Sequence, residues 1–70
     1  GTVDSGSTPL NIRTAATTSA SVVGQLRTGT QTTLVCQVTG QTISGRVRTT
    51  NLWDKIADGR YVSDAYIRRG

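Results

Sequence analysis

Apolar and polar residues alternate with period two along most of the chain after its first nine residues. Leu10 and Ile12 flank the polar Asn11, and a second alternating run covers residues 34–38. Such alternation is typical of strands that bury one face. It predicts five strands near residues 10–13, 22–26, 31–39, 52–56 and 60–62.

Regularly spaced glycines separate these runs, as in a meander of hairpins. The sharpest turn signal is Asp58 followed by Gly59, because both residues tolerate a positive φ in a tight hairpin. Ser63 then precedes three residues that we predict to form a single capped helical turn. The strands and turns together predict an all-β domain, with the strands closed into a small barrel that leaves few sheet edges.

The first nine residues contain Gly, Ser, Thr, Asp and Pro around a single Val3. A segment of this composition buries too little apolar surface to fold alone, so we predict a flexible linker over residues 1–9. The folded domain is then expected to span residues 10–70.

Composition limits the chemistry of the domain. The 70 residues include no His, and 4 acidic residues in all, each of them Asp. His and Glu are common general bases and His is the commonest metal ligand, so we expect no catalytic residues, no metal site and no cofactor. Cys36 has no second cysteine to pair with, and its place in the run from Leu34 to Val38 predicts packing as a small apolar residue. No apolar run is long enough to predict a membrane span.

Eight Lys and Arg residues give a net charge of +4, which favours anionic partners. Arg46 and Arg48 share a side of the chain if they lie in a strand, and Arg68 and Arg69 lie near the C-terminus. These four residues could together form a basic patch, although we favour the simpler interpretation of a solvated charged surface.

Several short motifs resemble those of bacterial SH3-like (SH3b) domains. Residues 10–13 read Leu-Asn-Ile-Arg, and residues 22–26 read Val-Val-Gly-Gln-Leu before the Gly29 turn. Residues 53–56 read Trp-Asp-Lys-Ile, and residues 59–67 resemble the closing motif of that family. The resemblance extends from Leu10 to Ile67 and implies a five- to seven-stranded SH3-like barrel with one short 3-10 turn near the C-terminus.

The family resemblance implies a secreted, non-catalytic module that holds an attached or partner hydrolase on bacterial peptidoglycan or an associated anionic polymer. The middle of the chain, with Cys36, Gly40 and residues 49–51 before Trp53, resembles the variant found in secreted actinobacterial cell-wall hydrolases. If Ile56 and Val62 face inward, alternation turns the Trp53 and Tyr61 rings outward, where they would form a ligand platform. The expected ligand-binding residues are Trp53, Tyr61, Arg46, Arg48, Asn11 and Arg13.

Two other functions remain compatible with the sequence. A basic small barrel can bind nucleic acid, although three aromatic residues are few for a base-stacking platform. A protein-interaction module that pairs its edge strands with a partner is the other alternative.

Overall fold

The computed structural model describes residues 1–68, which form seven strands and one short 3-10 helix. The strands in chain order are β1 Thr2–Val3, β2 Leu10–Arg13, β3 Val22–Leu26, β4 Cys36–Ser44, β5 Thr49–Ala57, β6 Arg60–Ser63 and β7 Ile67–Arg68. The 3-10 helix covers Asp64–Tyr66, between β6 and β7. The predicted all-β fold with a 3-10 turn near the C-terminus is confirmed.

Five strands form one antiparallel sheet in the order β3-β2-β6-β5-β4, and β1 pairs with β7 in a separate two-stranded sheet. The long hairpin of β4 and β5 has a register irregularity between Thr39 and Ile43, and β5 against β6 has another between Lys55 and Ala57. Irregularities of this kind bend strands, which lets a small sheet curl around its core.

A small aliphatic cluster forms the core between the two sheets. Its buried members come from both ends of the chain and from the centre of the large sheet: Val3, Leu10, Ile12, Val62 and Ile67. Leu26, Leu34, Ile56 and Tyr66 pack against this cluster while staying partly exposed. The core thus depends on contacts between residues that are far apart in sequence.

Local sequence signals match the structure closely in three places. Strands β2 and β3 have the predicted bounds. Gly59 has a φ of 66° in the turn between β5 and β6, which explains why glycine stands there. The Ser63 Oγ accepts a hydrogen bond of 3.2 Å from the Ala65 amide and thereby caps the 3-10 helix.

The N-terminal segment, residues 1–9, differs from the predicted linker. Val3 is only 1% exposed, and β1 pairs Val3 with Ile67 and Thr2 with Arg68. On its other side, the Val3 amide donates to the Thr30 carbonyl at 2.9 Å and the Gly29 amide donates to the Val3 carbonyl at 2.8 Å. The segment is too polar to fold alone, but its one valine completes a core that the rest of the chain leaves open.

Strand β4 begins and ends five residues later than predicted and passes through Gly40. A Cβ on Gly40 would collide with the Ala16 carbonyl oxygen, because the loop over residues 14–21 lies directly against the strand. Gly40 is therefore required by close packing rather than by a turn. Cys36, at the start of this edge strand, is exposed and does not pack inward as predicted.

Candidate functional site

A groove of about 340 Å³ opens between the N-terminal segment, the start of β2 and the end of the 3-10 helix. We call it the Tyr66 groove, and its lining residues are Ser5, Thr8, Pro9, Leu10, Asn11 and Tyr66. The lining combines hydroxyl and amide groups with an aromatic ring and two aliphatic side chains. Such a combination suits a ligand that has both hydrogen-bonding groups and apolar surface.

Two residues that line the groove, Tyr66 and Asn11, are held in place by neighbouring parts of the fold. Tyr66 is half-buried because its ring packs against the aliphatic core. Asn11 projects from β2, and its Oδ1 accepts a hydrogen bond of 3.0 Å from the Gln25 side-chain amide on β3. Because Gln25 binds the Oδ1 atom, the side-chain amide of Asn11 is held in a defined orientation at the groove.

A second pocket of about 280 Å³ lies on the other side of Pro9. We call it the Arg27 pocket, and it is lined by Gly6, Ser7, Pro9, Arg27 and Thr28. The Thr28 Oγ1 accepts a hydrogen bond of 2.9 Å from the Ser5 amide, which ties the N-terminal segment to the turn after β3. Pro9 lines both concavities, so the two lie next to each other.

Asp4 anchors the N-terminal segment that forms one wall of both concavities. Its Oδ2 accepts from Arg68 Nε at 2.6 Å and its Oδ1 accepts from Arg46 Nε at 2.8 Å. Its amide donates to the Tyr66 carbonyl at 2.7 Å. The hydrogen bond from Arg68, helped by the one from Arg46, holds the pKa of Asp4 below its ordinary value.

Trp53 does not occupy the predicted surface position. The ring is 2% exposed, and its Nε1 donates a hydrogen bond of 2.9 Å to the Gln41 carbonyl. Trp53 pairs with Ser63 and Asp54 pairs with Val62, so alternation does place the ring on the face opposite Val62. The irregular stretch of β4 that contains Gln41 covers that face at this point, and the predicted outward ring is therefore wrong.

Three of the predicted arginines are engaged within the protein. The Arg13 guanidinium donates to the Thr18 and Ala20 carbonyls at 2.9 and 3.0 Å, and thereby holds the 14–21 loop. Arg48 forms an ion pair of 2.7 Å with the fully buried Asp64. Arg46 is paired with Asp4 as described, so these side chains have structural partners. Arg69, of the predicted basic patch, lies outside the described residues.

Tyr61 is not among the residues that line the Tyr66 groove. It pairs with Lys55 on β5 and with Arg13 on β2, while Lys55 pairs with Cys36 on β4. Lys55 Nζ lies 3.3 Å from Asp58 Oδ1 in an ion pair, and its hydrogen bond to that carboxylate raises the pKa of Lys55. Of the six predicted ligand-binding residues, the structure places only Asn11 in the groove, and a ligand contact by Tyr61 stays a prediction.

The groove residues missed by sequence reasoning are Ser5, Thr8, Pro9, Leu10, Tyr66 and, in the adjoining pocket, Arg27. Ser5, Thr8 and Pro9 belong to the segment predicted as a linker. Tyr66 belongs to the segment predicted as a capped helical turn. The one available signal was that Pro9 stands directly before β2, where its fixed φ defines the approach of the chain.

A further depression of about 420 Å³ lies beside Gly1, Thr2 and residues 31–33. Its side chains are hydroxyl and amide groups, without an aromatic or charged residue to orient a ligand. Within residues 1–68, no three metal-ligating side chains come together. No helix in this part of the chain is long and apolar enough to cross a membrane. The Tyr66 groove is therefore the best candidate for a ligand site.

Comparison with known proteins agrees with this architecture. Residues 8–68 match the model of the bacterial SH3 domain family. The uncharacterized proteins YraI and YraJ of Bacillus subtilis (strain 168) are 32% and 31% identical to the chain over 74 aligned positions. Each alignment covers 94% of this chain but only 62% and 63% of the two relatives, respectively, so the chain spans less than two thirds of their length. The fold and the family match together show that the chain belongs to the bacterial SH3 domain family.

Proposed function

We propose that the chain is a non-catalytic module that binds bacterial cell-wall peptidoglycan and positions an attached or partner hydrolase there. In this proposal the protein is secreted and associated with the cell wall. Membership of the bacterial SH3 domain family supports a binding role. The observation that carries the proposal is the Tyr66 groove, with its ring, hydroxyl groups and oriented Asn11 amide.

The chemistry of the groove suits this polymer. Peptidoglycan consists of acetylated amino sugars joined to short peptides, so it offers amide groups, hydroxyl groups and small apolar side chains. Asn11 and the hydroxyls of Ser5 and Thr8 supply matching donors and acceptors. The ring of Tyr66 and the flat face of Pro9 provide apolar contact area at little cost in side-chain entropy.

The location of the acidic residues supports a non-catalytic role. Hydrolysis of a glycosidic bond ordinarily uses two carboxyl groups on either side of the bond. Among the described residues, none that lines the Tyr66 groove carries a carboxyl group. Asp4 and Asp64 are bound by arginines, Asp54 is fully buried, and Asp58 is at the tip of the β5–β6 hairpin.

The arginines favour the cell wall over nucleic acid as the main partner. Arg46, Arg48 and Arg68 already contact carboxylates of the protein. A nucleic acid would have to compete for these guanidinium groups or rely on the few cations that remain. Strong binding to a polyanion normally requires several phosphate contacts at once.

Co-sedimentation with purified peptidoglycan sacculi tests the proposal, using sacculi with and without teichoic acid and DNA-coated beads in parallel. The decisive variants are Asn11→Ala and Gln25→Ala. Both remove the hydrogen bond between these side chains, but only Asn11 lines the groove. We expect Asn11→Ala to weaken binding about fivefold to tenfold, which is typical of losing a contact residue. Gln25→Ala should weaken it by a smaller factor, because Asn11 then loses its fixed orientation but still lines the groove.

Equal effects of the two variants would show that the groove is not the contact site. Stronger retention on DNA than on sacculi would contradict the proposal itself. Release of soluble muropeptides from sacculi by the isolated chain would contradict its non-catalytic part.

A further inference from the structure

Arg27 differs from most arginines of this domain because its side chain makes no hydrogen bond or ion pair within residues 1–68. Four other arginines are bound to carbonyl or carboxylate oxygens: Arg13, Arg46, Arg48 and Arg68. Arg27 is exposed and lines the pocket next to Pro9. A guanidinium that lies in a concave site and has no partner among the described residues is a candidate to bind a ligand group.

The surroundings of the Arg27 pocket carry excess positive charge. Arg46 lies at its edge, since a Cβ on Gly6 would come within 3.4 Å of Arg46 Nη1. The single carboxylate of Asp4 is shared between Arg46 and Arg68, so one positive charge remains there before Arg27 is counted. No acidic residue lines the pocket itself. This imbalance favours an anionic ligand group.

The lining of the pocket also suits an oxyanion. Ser7 and Thr28 line the same pocket as Arg27, and the hydroxyl groups of both can donate hydrogen bonds. The planar guanidinium fork matches the two oxygens of a carboxylate. Because Pro9 also lines the Tyr66 groove, the pocket lies next to that groove.

We infer that the Arg27 pocket binds a peptide carboxylate, while the neighbouring residues of the same peptide lie in the Tyr66 groove. This inference rests on the proposed cell-wall function and names the group that the site selects. It makes Arg27 a specificity-determining residue, which distinguishes a free acid from an amide at one end of the bound peptide.

The test compares Arg27→Gln with Arg60→Gln as a matched control. Both positions are exposed arginines whose side chains have no partner within residues 1–68, and both substitutions remove one charge. Arg60 lies on β6 next to the Gly59 turn, outside the groove and the pocket. Binding is measured to native sacculi and to sacculi whose carboxyl groups have been converted to amides.

We expect Arg27→Gln to weaken binding to native sacculi about tenfold, as for loss of one charged hydrogen-bonded contact, and Arg60→Gln to weaken it less than twofold. Amidation of the sacculi is expected to weaken binding of the unmodified chain by the same factor. It should have no further effect on Arg27→Gln, because that variant has already lost the contact.

Sacculus binding that is unaffected by Arg27→Gln and by amidation would overturn the carboxylate inference and leave the cell-wall function intact. Equal losses in Arg27→Gln and Arg60→Gln would also overturn it, because net charge alone would then explain the effect. Loss of binding only when teichoic acid is removed would assign the anion to phosphate and would equally overturn it.

A soluble probe separates this inference from the proposed function. Diacetyl-Lys-D-Ala-D-Ala and its C-terminal amide are titrated into the isotope-labelled chain, and the Arg27 side-chain resonance is followed by NMR. A shift caused by the acid and not by the amide supports the inference even if sacculi do not bind. No difference between the two peptides overturns it.

Discussion

Val3 gives the sharpest test of how the N-terminal segment contributes to the fold. Its side chain is 1% exposed in the aliphatic core, and Val3→Ala removes two methyl groups from that position. Their transfer to water costs about 1.6 kcal/mol, and the small cavity left behind brings the total to about 2 kcal/mol. Val35→Ala is the control, because Val35 is 62% exposed and lies outside the strands.

Urea denaturation followed by tryptophan fluorescence measures both variants, since the chain has a single Trp and it is buried. For a chain this small the free energy of unfolding falls by about 1 kcal/mol per M urea. Val3→Ala should therefore lower the urea concentration at the unfolding midpoint by about 2 M. The melting temperature should fall by about 8–16 °C. Val35→Ala should change either value little. A Val3→Ala shift no larger than that of Val35→Ala would refute the place of the N-terminal segment in the core.

Three further substitutions and one salt titration test other parts of the structure. Trp53→Ala should lower the free energy of unfolding by about 3–5 kcal/mol in urea denaturation, because a buried ring and its hydrogen bond to Gln41 are lost; unchanged stability would show that the ring is not in the core. The pKa of Asp4 is lower in the folded protein than its ordinary value of 3.8, so the ionised carboxylate stabilises the fold at a pH above 3.8. This contribution is lost as the pH falls through the lower pKa of the folded state. The stability difference between the unmodified chain and Asp4→Asn, measured by thermal melts, should therefore stay constant from neutral pH to about 4 and shrink below it, and a difference that does not shrink would contradict this role of Asp4. Tyr61→Ala should weaken sacculus binding less than Asn11→Ala does, and the opposite order would move the main contact to the surface around Tyr61. Sacculus affinity should fall only about three- to fourfold between 50 and 200 mM salt if one charged contact is involved, whereas a loss of about a thousandfold would indicate many phosphate contacts.

Features encoded by neighbouring residues were predictable from the sequence. Strand β2 alternates apolar and polar residues, the Asp58-Gly59 pair forms a turn that needs a positive φ, and Ser63 caps the residues directly after it. Each of these depends on a window of only a few residues. The overall all-β class followed from the same signals.

Features that depend on distant contacts were not predictable in this way. Val3 is buried only because β7, more than sixty positions later, pairs with it. Gly40 resembles a turn residue until the 14–21 loop is placed against it. Alternation assigned Trp53 to the correct face relative to Val62, but it could not show that β4 bends over that face.

The candidate site was less predictable than the fold for the same reason. The Tyr66 groove joins the N-terminal segment to the last turn of the chain, so its residues share no local pattern. Asn11 was identified because it lies in a motif of the family. Arg27 was not identified, because its distinguishing property is the absence, within residues 1–68, of the side-chain partners that four other arginines have.

Mapping of a bound cell-wall fragment by NMR tests the central claim most directly. A soluble disaccharide-peptide muropeptide is titrated into the isotope-labelled chain, and the backbone amide shifts are followed residue by residue. If the groove and the Arg27 pocket bind the fragment, the largest shifts occur at Ser5, Thr8, Asn11, Arg27 and Tyr66. Shifts concentrated around Lys55 and Tyr61, or no shifts at millimolar concentrations of the fragment, would contradict binding in the groove.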